Sequence, residues 1–523
     1  MPGDSLKIIT NGYVLTCDSA NRGGRYTLLI RNGRIVEISD SADLFTYLHP
    51  YAEIVDASGR LIVPGFVNAH FHSESLLLRA RTQGLHFGLW PHDIRLQECS
   101  RKLLERSSFD DLRSLYLASY FGHLKSGTTC VGEFGPPVGG EGLSIMLEAI
   151  DRTEVKSVVT LQNWDQITKA IDLDGRKKRF AINLGRPNDL TVYTFESLSR
   201  ASRDLKMPLL AHVAEQREDG EEIKKNFQKS TLALLRDFDT LREGTVLVHL
   251  NHLVEKEIDI LEKLSLTVAV CARSAAFKQT GYPSLRHLAA HDVPLCIGTD
   301  WSNLEMLREM QFLYELPLLV PGIRAFTGME LLRMATINGA HALGLSSEIG
   351  SIEPGKAADL VFFDIADVRV PQHGSRAAAD QLAELLINHL SSRQISDVMI
   401  NGEFYVTRGQ IMTMSEEDVI GGFKKTCESF FPDSVGTNER RVKLSSGSKP
   451  RLVSFTFDIK PRDVAGFEEG LPTDNPALSS SEGLTVPPKD KTRPVNTPES
   501  TDRLTKPELS KDVKRVFGED DDF

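Results

Sequence analysis

Apolar residues recur along this chain with two periods. Short runs of β-branched and small apolar residues alternate with stretches of helical spacing, and several runs stop at a polar residue. Val63 to Ala69 leads into His70-Phe71-His72, and Met207 to Ala211 ends at His212 with Glu215 three residues on. Thr245 to Val248 ends at His249 with His252 close behind, and Val293 to Thr299 ends at Asp300. Strands that each finish in a polar residue, with helices between them, predict a parallel barrel whose active site lies at its C-terminal rim. One intervening helix is marked by Ser108 as N-cap, by Asp111 at the capping-box position and by Leu112, Leu115, Tyr116 and Tyr120 on one face; Gly127 ends it and Thr128 to Phe134 is the next strand. The pattern predicts a (β/α)8 TIM-like barrel over residues 61–349, with a doubly wound sheet as the second architecture.

Residues 1–60 have a different texture. Leu6 to Asn11, Gly12 to Cys17, Tyr26 to Arg31, Arg34 to Ser39 and Ala52 to Asp56 alternate like short antiparallel strands, with the turn Asn32-Gly33 among them. The texture returns within residues 350–436, at Asp359 to Asp364, Ile395 to Asn401 and Glu403 to Val406, with the turn Asn401-Gly402. Strands from both ends are therefore expected to build one small β-sandwich, split by the barrel and followed by a closing helix. Residues 437–523 carry serine and proline clusters and an acidic end without the periodicity that buries a core, and are expected to form a disordered tail. Within it, Leu452 to Ile459 suits a short strand and Lys511 to Phe517 a docking segment.

Composition narrows the class. With 523 residues, 41% of them hydrophobic and 25% charged, the chain has room for a large domain and a smaller one. A formal charge of −11 offers no basic face, so the expectation is a polar small-molecule partner and no nucleic acid. No basic segment followed by an apolar core opens the chain and no apolar run suits a bilayer span, so no membrane partner and a cytoplasmic location are expected. The six cysteines lack Cys-x-x-Cys spacing, which argues against a disulfide framework or a thiolate zinc site and for a reducing compartment.

His70-Phe71-His72 carries the first chemical signal. In an extended chain residues i and i+2 face the same way, so both imidazoles can reach one metal ion. A lone His-x-His is more often coincidence than a site; its recurrence with other strand-end ligands and bases reverses that balance. His252 is open to three readings: loop filler, a partner of a ligand, or the true ligand.

The segments Pro64 to His72, His212-Val213-Ala214-Glu215, Val248 to Leu253 and Gly298-Thr299-Asp300 resemble the ordered motifs of the metal-dependent amidohydrolase superfamily. The nearest branch holds guanine deaminase, the methylthioadenosine and S-adenosylhomocysteine deaminases and the triazine hydrolases. Ala335 to Gly344 and Gly350 to Leu360 are similar to that branch's last barrel helix and its return to the small sheet domain. The likeness runs from about Leu6 to Met412.

The resemblance implies one divalent ion on His70, His72, His212 and Asp300, zinc before iron or manganese. It makes Glu215 the proton shuttle between attacking water and leaving nitrogen, His249 the group that holds the water or polarises the attacked group, and Asp300 a sharer in proton transfer. Glu98 falls, with a one-residue gap, near a substrate-contacting glutamate of the nucleoside deaminases; a solvated helix residue is the equal alternative. Two places depart from that branch. Its Pro-His-Ala-Pro-Tyr-like strand is here Asn183-Leu184-Gly185-Arg186-Pro187-Asn188, and its His-Cys-Pro-x-Ser-Asn is here Val270-Cys271-Ala272-Arg273-Ser274-Ala275. Arg186 and Arg273 are candidates to contact an anionic or carbonyl-bearing substrate, with structural ion pairing as the alternative.

The expected activity is hydrolysis of a carbon-nitrogen bond other than a peptide bond, foremost the deamination of an aminated heterocycle. Hydrolysis of an amide or loss of another ring substituent on the same site stands second. A barrel that has lost turnover and serves as a scaffold, with its tail as the arm for a protein partner, stands as another class. Relatives of this architecture are often dimers, so the resemblance suggests a homodimer, although no interface is legible in the sequence.

Overall fold

Eight short segments rich in Val, Leu, Ile and Ala form the central sheet of the computed structural model, which describes residues 5–431 apart from 83–84, 136–140, 172–177, 188–189, 265 and 367–377. The expected tail, with its strand and docking segment, lies outside the described residues. The strands are β1 (Phe66–Phe71), β2 (Thr128–Glu133), β3 (Lys156–Leu161), β4 (Lys178–Asn183), β5 (Leu209–Val213), β6 (Thr245–His249), β7 (Thr267–Val270) and β8 (Leu295–Ile297). Each is hydrogen-bonded in parallel to its sequence neighbour, and helices fill the connections. The circle closes where Asp300 N donates to His70 O at 2.9 Å and Phe71 bridges Asp300 in parallel. The expected (β/α)8 barrel is present.

Along the strands the apolar side chains divide by alternation. Val158, Ala181, Leu210, Val246, Val248, Ala269 and Cys296 belong to one buried cluster. Their neighbours Val159, Ile182, Leu209, Leu247, Val268 and Ile297 belong to the larger cluster shared with helix residues such as Leu115, Phe195 and Leu313. Burial on both faces is what a parallel sheet covered by helices requires, and each fully buried Val, Leu or Ile contributes about 1.5–3 kcal/mol. Helix Phe109–Lys125 starts as expected: Ser108 Oγ accepts from Asp111 N, and Asp111 returns a carboxylate to Ser108 N.

The small domain is a sandwich of two sheets sharing one apolar cluster that includes Ile9, Leu28, Ile62, Leu360, Phe362 and Met399. One sheet draws strands from both ends of the described chain: Leu360–Asp364 lies between Arg60–Pro64 and Ile395–Ile400. The change of sheet therefore falls at Gly65, a few residues beyond the expected boundary at 60. Both Asn-Gly turns have positive φ at both central residues, 49° and 79° at Asn32-Gly33 and 49° and 76° at Asn401-Gly402, as two-residue hairpins demand. The expectation of purely antiparallel pairing needs correction. Leu6–Thr10 pairs in parallel with Glu53–Asp56, and Tyr13–Leu15 with Arg60–Pro64. Helix Ala42–Leu48 lies in the connection to Glu53–Asp56 and provides the crossover that a parallel pair needs. Helix Glu416–Phe430 closes the described chain, tied to the barrel through Lys125 and Glu416. Among the described residues no helix is long and apolar enough to cross a membrane.

Candidate active site

The expected site residues stand at the C-terminal ends of the barrel strands, where the backbone bends out of the ladder. His212 lies two residues beyond the buried Leu210 on β5, so alternation turns both the same way. Ala214, His249 and Asp300 have φ of 48°, 80° and 46°. Such left-handed conformations cost non-glycine residues about 1–3 kcal/mol each and are kept where surrounding structure imposes them. At the closure, a Cβ on Gly298 would meet His70 Cβ at 2.6 Å and Cys271 Sγ at 3.0 Å, so only glycine lets the strand ends approach this closely.

Four imidazoles and a carboxylate converge there. The His70 ring centroid lies 5.0 Å from His72, 4.9 Å from His212 and 5.6 Å from His249. His212 and His249 stack at 5.3 Å. Asp300 Oδ1 is 3.5 Å from His70 Nε2 and 3.6 Å from His72 Nε2. Within each of two sets, His70, His72 and His212, and His70, His249 and Asp300, the donor atoms lie within 4.8 Å of one another. Both ring nitrogens of His70 and His249, Nδ1 of His212 and Oδ1 of Asp300 are buried without a hydrogen-bond partner. Buried polar atoms left unpaired cost about 1–3 kcal/mol each, and their convergence fits a bound cation. Burial holds the His70 imidazole down to about 3, His249 down to about 4 and His212 well below the usual range, so these rings are neutral, as metal donors must be. His252 is elsewhere: its ring nitrogen Nε2 is 2.8 Å from Thr280 O.

Residues not anticipated from the sequence hold this cluster in place. Glu74 Oε1 accepts from His72 Nδ1 at 3.0 Å, which leaves Nε2 facing Asp300. Asn68 bonds Thr299 through both atoms of its amide and approaches His123 Nε2 at 3.1 Å. Phe134 lies edge-on to His70 and His212 at 4.3 and 4.6 Å.

The most consequential addition is Lys278, at the end of helix Ala272–Lys278 and 2% exposed. Its ammonium donates to Glu215 Oε1 at 2.8 Å and Asp300 Oδ2 at 2.6 Å, and Ser274 Oγ donates to Asp300 Oδ2 at 2.7 Å. Glu215 Oε2 receives Arg186 Nη2 and lies 3.6 Å from His249 Nε2. Burial alone would raise the Glu215 carboxyl, but His249, Lys278 and Arg186 outweigh it and hold it down at about 2. Burial likewise opposes the Lys278 charge, and Asp300 and Glu215 reverse the balance.

The three proposed substrate contacts part company. Arg186, where the resembling branch carries histidine, is engaged with Glu215 and Asp219 and lies over the Phe87 ring. Its structural ion pairing is thus explicit. Arg273 lines a cleft with Arg79 and Ser302, while its backbone N donates to Glu309. Glu98 lies on helix Ile94–Arg106, 45% exposed, with its carboxylate 2.7 Å from Arg101 on the next turn, as a solvated helix residue would. That local pair competes with any substrate contact.

A parallel eight-stranded barrel with imidazoles and carboxylates gathered at one rim defines the hydrolase class in which a metal ion and a carboxylate base act together. Residues 61–405 match the amidohydrolase family, and the chain belongs to it. It is 27% identical over 439 residues to a 5-methylthioadenosine/S-adenosylhomocysteine deaminase of Pyrococcus furiosus, covering 80% of this chain and all of that protein. Among solved structures it is similar to an adenosine deaminase of Xanthomonas campestris with bound zinc, with a TM-score of 0.73, 22% identity and coverage of 82% and 98% of the two chains. It is also similar to an atrazine chlorohydrolase of Arthrobacter aurescens complexed with zinc, with a TM-score of 0.70, 18% identity and coverage of 80% and 100%.

Proposed function

We propose that this protein hydrolytically deaminates an aminated heterocycle, with one divalent ion, zinc by preference, held by His70, His72, His212 and Asp300. The observation that carries the reading is the set of buried, unpartnered imidazole and carboxylate atoms beside an ionised Glu215. The nitrogen and oxygen donors suit zinc, and the named relatives and neighbours include deaminases and zinc-bound proteins. When bound, the ion supplies the Lewis acidity that lets water attack near neutral pH.

The protein's own groups do the rest. Glu215, ionised at neutral pH, is a base: its Oε2, beside His249, takes a proton from the attacking water and delivers it to the leaving nitrogen. His249 is neutral and orients the water or the attacked ring atom. Lys278 and Ser274 fix Asp300 Oδ2, so that Oδ1 faces the imidazoles. The net change is ring C–NH2 plus water to ring C=O plus ammonia. Six cysteines without Cys-x-x-Cys spacing suit a reducing, cytoplasmic setting.

The test is elemental analysis of the purified chain alongside ammonia release from aminopurines, aminopyrimidines, pterins and triazines. About one ion per chain and ammonia from one class are expected. Glu215→Gln is expected to keep the metal and lose at least about a hundredfold in turnover. No metal after reconstitution, or full activity in the Gln variant, overturns the assignment.

A further inference from the structure

A cleft of about 700 Å³ is lined by Leu76, Arg79, Arg273, Phe277, Ser302 and Phe312. It adjoins the site in sequence and in charge. Leu76 lies four residues after His72, Ser302 follows Asp300 by two residues, and the Asp300 carboxylate is the one that acts on Arg79. Two guanidinium groups thus face one space. Among the described residues Arg79 makes a single hydrogen bond, from Nη2 to Ser75 Oγ at 3.2 Å, and its Nε is buried without an acceptor there. Neither arginine makes an ion pair among the described residues.

The local charge balance sharpens the point. Burial presses the Arg79 guanidinium down to about 10, and the Asp300 carboxylate offsets this only in part. Glu309, which receives Arg273 N and Ser302 Oγ, is pushed up to about 8 by burial and is therefore protonated at neutral pH. The carboxyl nearest Arg273 in this network carries no charge to offset it. A chain with a formal charge of −11 nevertheless sets on one wall two guanidinium groups without an ion pair among the described residues, and Leu76, Phe277 and Phe312 supply apolar surface around them.

We infer that the cleft is an anion subsite: Arg79 and Arg273 clamp a carboxylate or comparable oxyanion that the substrate carries on an apolar arm, away from the ring that reacts at Glu215. Guanidinium forks pair with oxyanions through directed, charge-assisted hydrogen bonds. Arg186, already engaged by two carboxylates, is not that partner. The heterocycle in this inference rests on the deaminase reading; the anion does not.

The test measures binding rather than turnover. The metal-loaded chain is titrated by calorimetry with 9-carboxymethyladenine and with its neutral primary amide, which share ring and shape. The acid is expected to bind at least about tenfold tighter, the worth of one charge-assisted hydrogen bond. The preference is expected to shrink in Arg273→Met and to vanish in the Arg79→Met/Arg273→Met double variant, with metal content unchanged in both. Equal affinity in the wild-type chain, absence of binding by both ligands at millimolar concentration, or a preference that survives in the double variant overturns the subsite. The wild-type comparison decides even if the double variant does not fold. A preference for the acid without ammonia from any amine keeps the subsite and removes the deaminase; ammonia from neutral amines without the preference does the reverse.

Discussion

Replacing Lys278 by Met isolates what a buried ammonium does between two carboxylates. Methionine is similar in length and apolar, so little volume is lost and the change is chiefly one of charge. In the metal-free chain Glu215 Oε1 and Asp300 Oδ2 each lose a charge-assisted hydrogen bond, at 2.8 and 2.6 Å in the native protein. Two such bonds amount to about 3–6 kcal/mol, and removing one partner of a buried ion pair typically costs about 3–5 kcal/mol. Relief of the lysine's own desolvation sets the expectation at the low end, about 3 kcal/mol. A divalent ion at Asp300 supplies the positive charge that the variant lacks there, so the loss in the metal-loaded protein falls to roughly 1.5 kcal/mol, the Glu215 bond alone. The assay is the urea midpoint of wild type and variant, chelated and zinc-saturated, read at unchanged m. The variant should therefore gain more stability from zinc than the wild type does. Equal losses in both states, or less than about 1 kcal/mol in the chelated state, refute the picture of Lys278 as a counterion shared with the metal.

Two further outcomes separate the site from its surroundings. His212→Ala is expected to lower metal content well below one per chain, whereas His252→Ala, bonded outside the cluster to Thr280 O, leaves it unchanged; elemental analysis distinguishes them. Glu309 has a folded pKa of about 8, above the ordinary carboxyl value of 4.5, so the native state holds its proton more tightly than the unfolded chain. Its contribution is fully present below pH 4.5 and is lost as pH rises towards 8. Glu309→Gln should therefore flatten the decline in melting temperature between pH 5 and 8.5, and an unchanged slope excludes Glu309 as its source.

The barrel strands and the positions of His70, His72, His212, His249 and Asp300 were legible because each lies at the end of a locally patterned run, and period-two alternation alone fixes which side chains share a face. Lys278 was not. A lysine in the last turn of a helix ordinarily complements the helix dipole in water, and nothing in Phe277-Lys278-Gln279 marks the β5 and β8 ends against which it packs. Glu98 was ambiguous for the opposite reason: its place in the sequence suggested substrate, while Arg101 one turn away offers a local partner. Parallel pairing of Leu6–Thr10 with Glu53–Asp56 depends on a partner beyond four intervening strands, which alternation within each strand does not encode.

The strand Leu360–Asp364 between Arg60–Pro64 and Ile395–Ile400 has a consequence for how the protein is made. During synthesis Arg60–Pro64 leaves the ribosome roughly 300 residues, or about 15–60 s at usual elongation rates, before its neighbour exists. Throughout that interval its Leu61, Ile62 and Val63 sit on an open sheet edge, a template for pairing with another nascent chain. The barrel, whose strands join in sequence order, can assemble meanwhile, whereas the small sandwich is obliged to finish last. Stalled or truncated chains that end before residue 360 are therefore the forms of this protein most prone to aggregate.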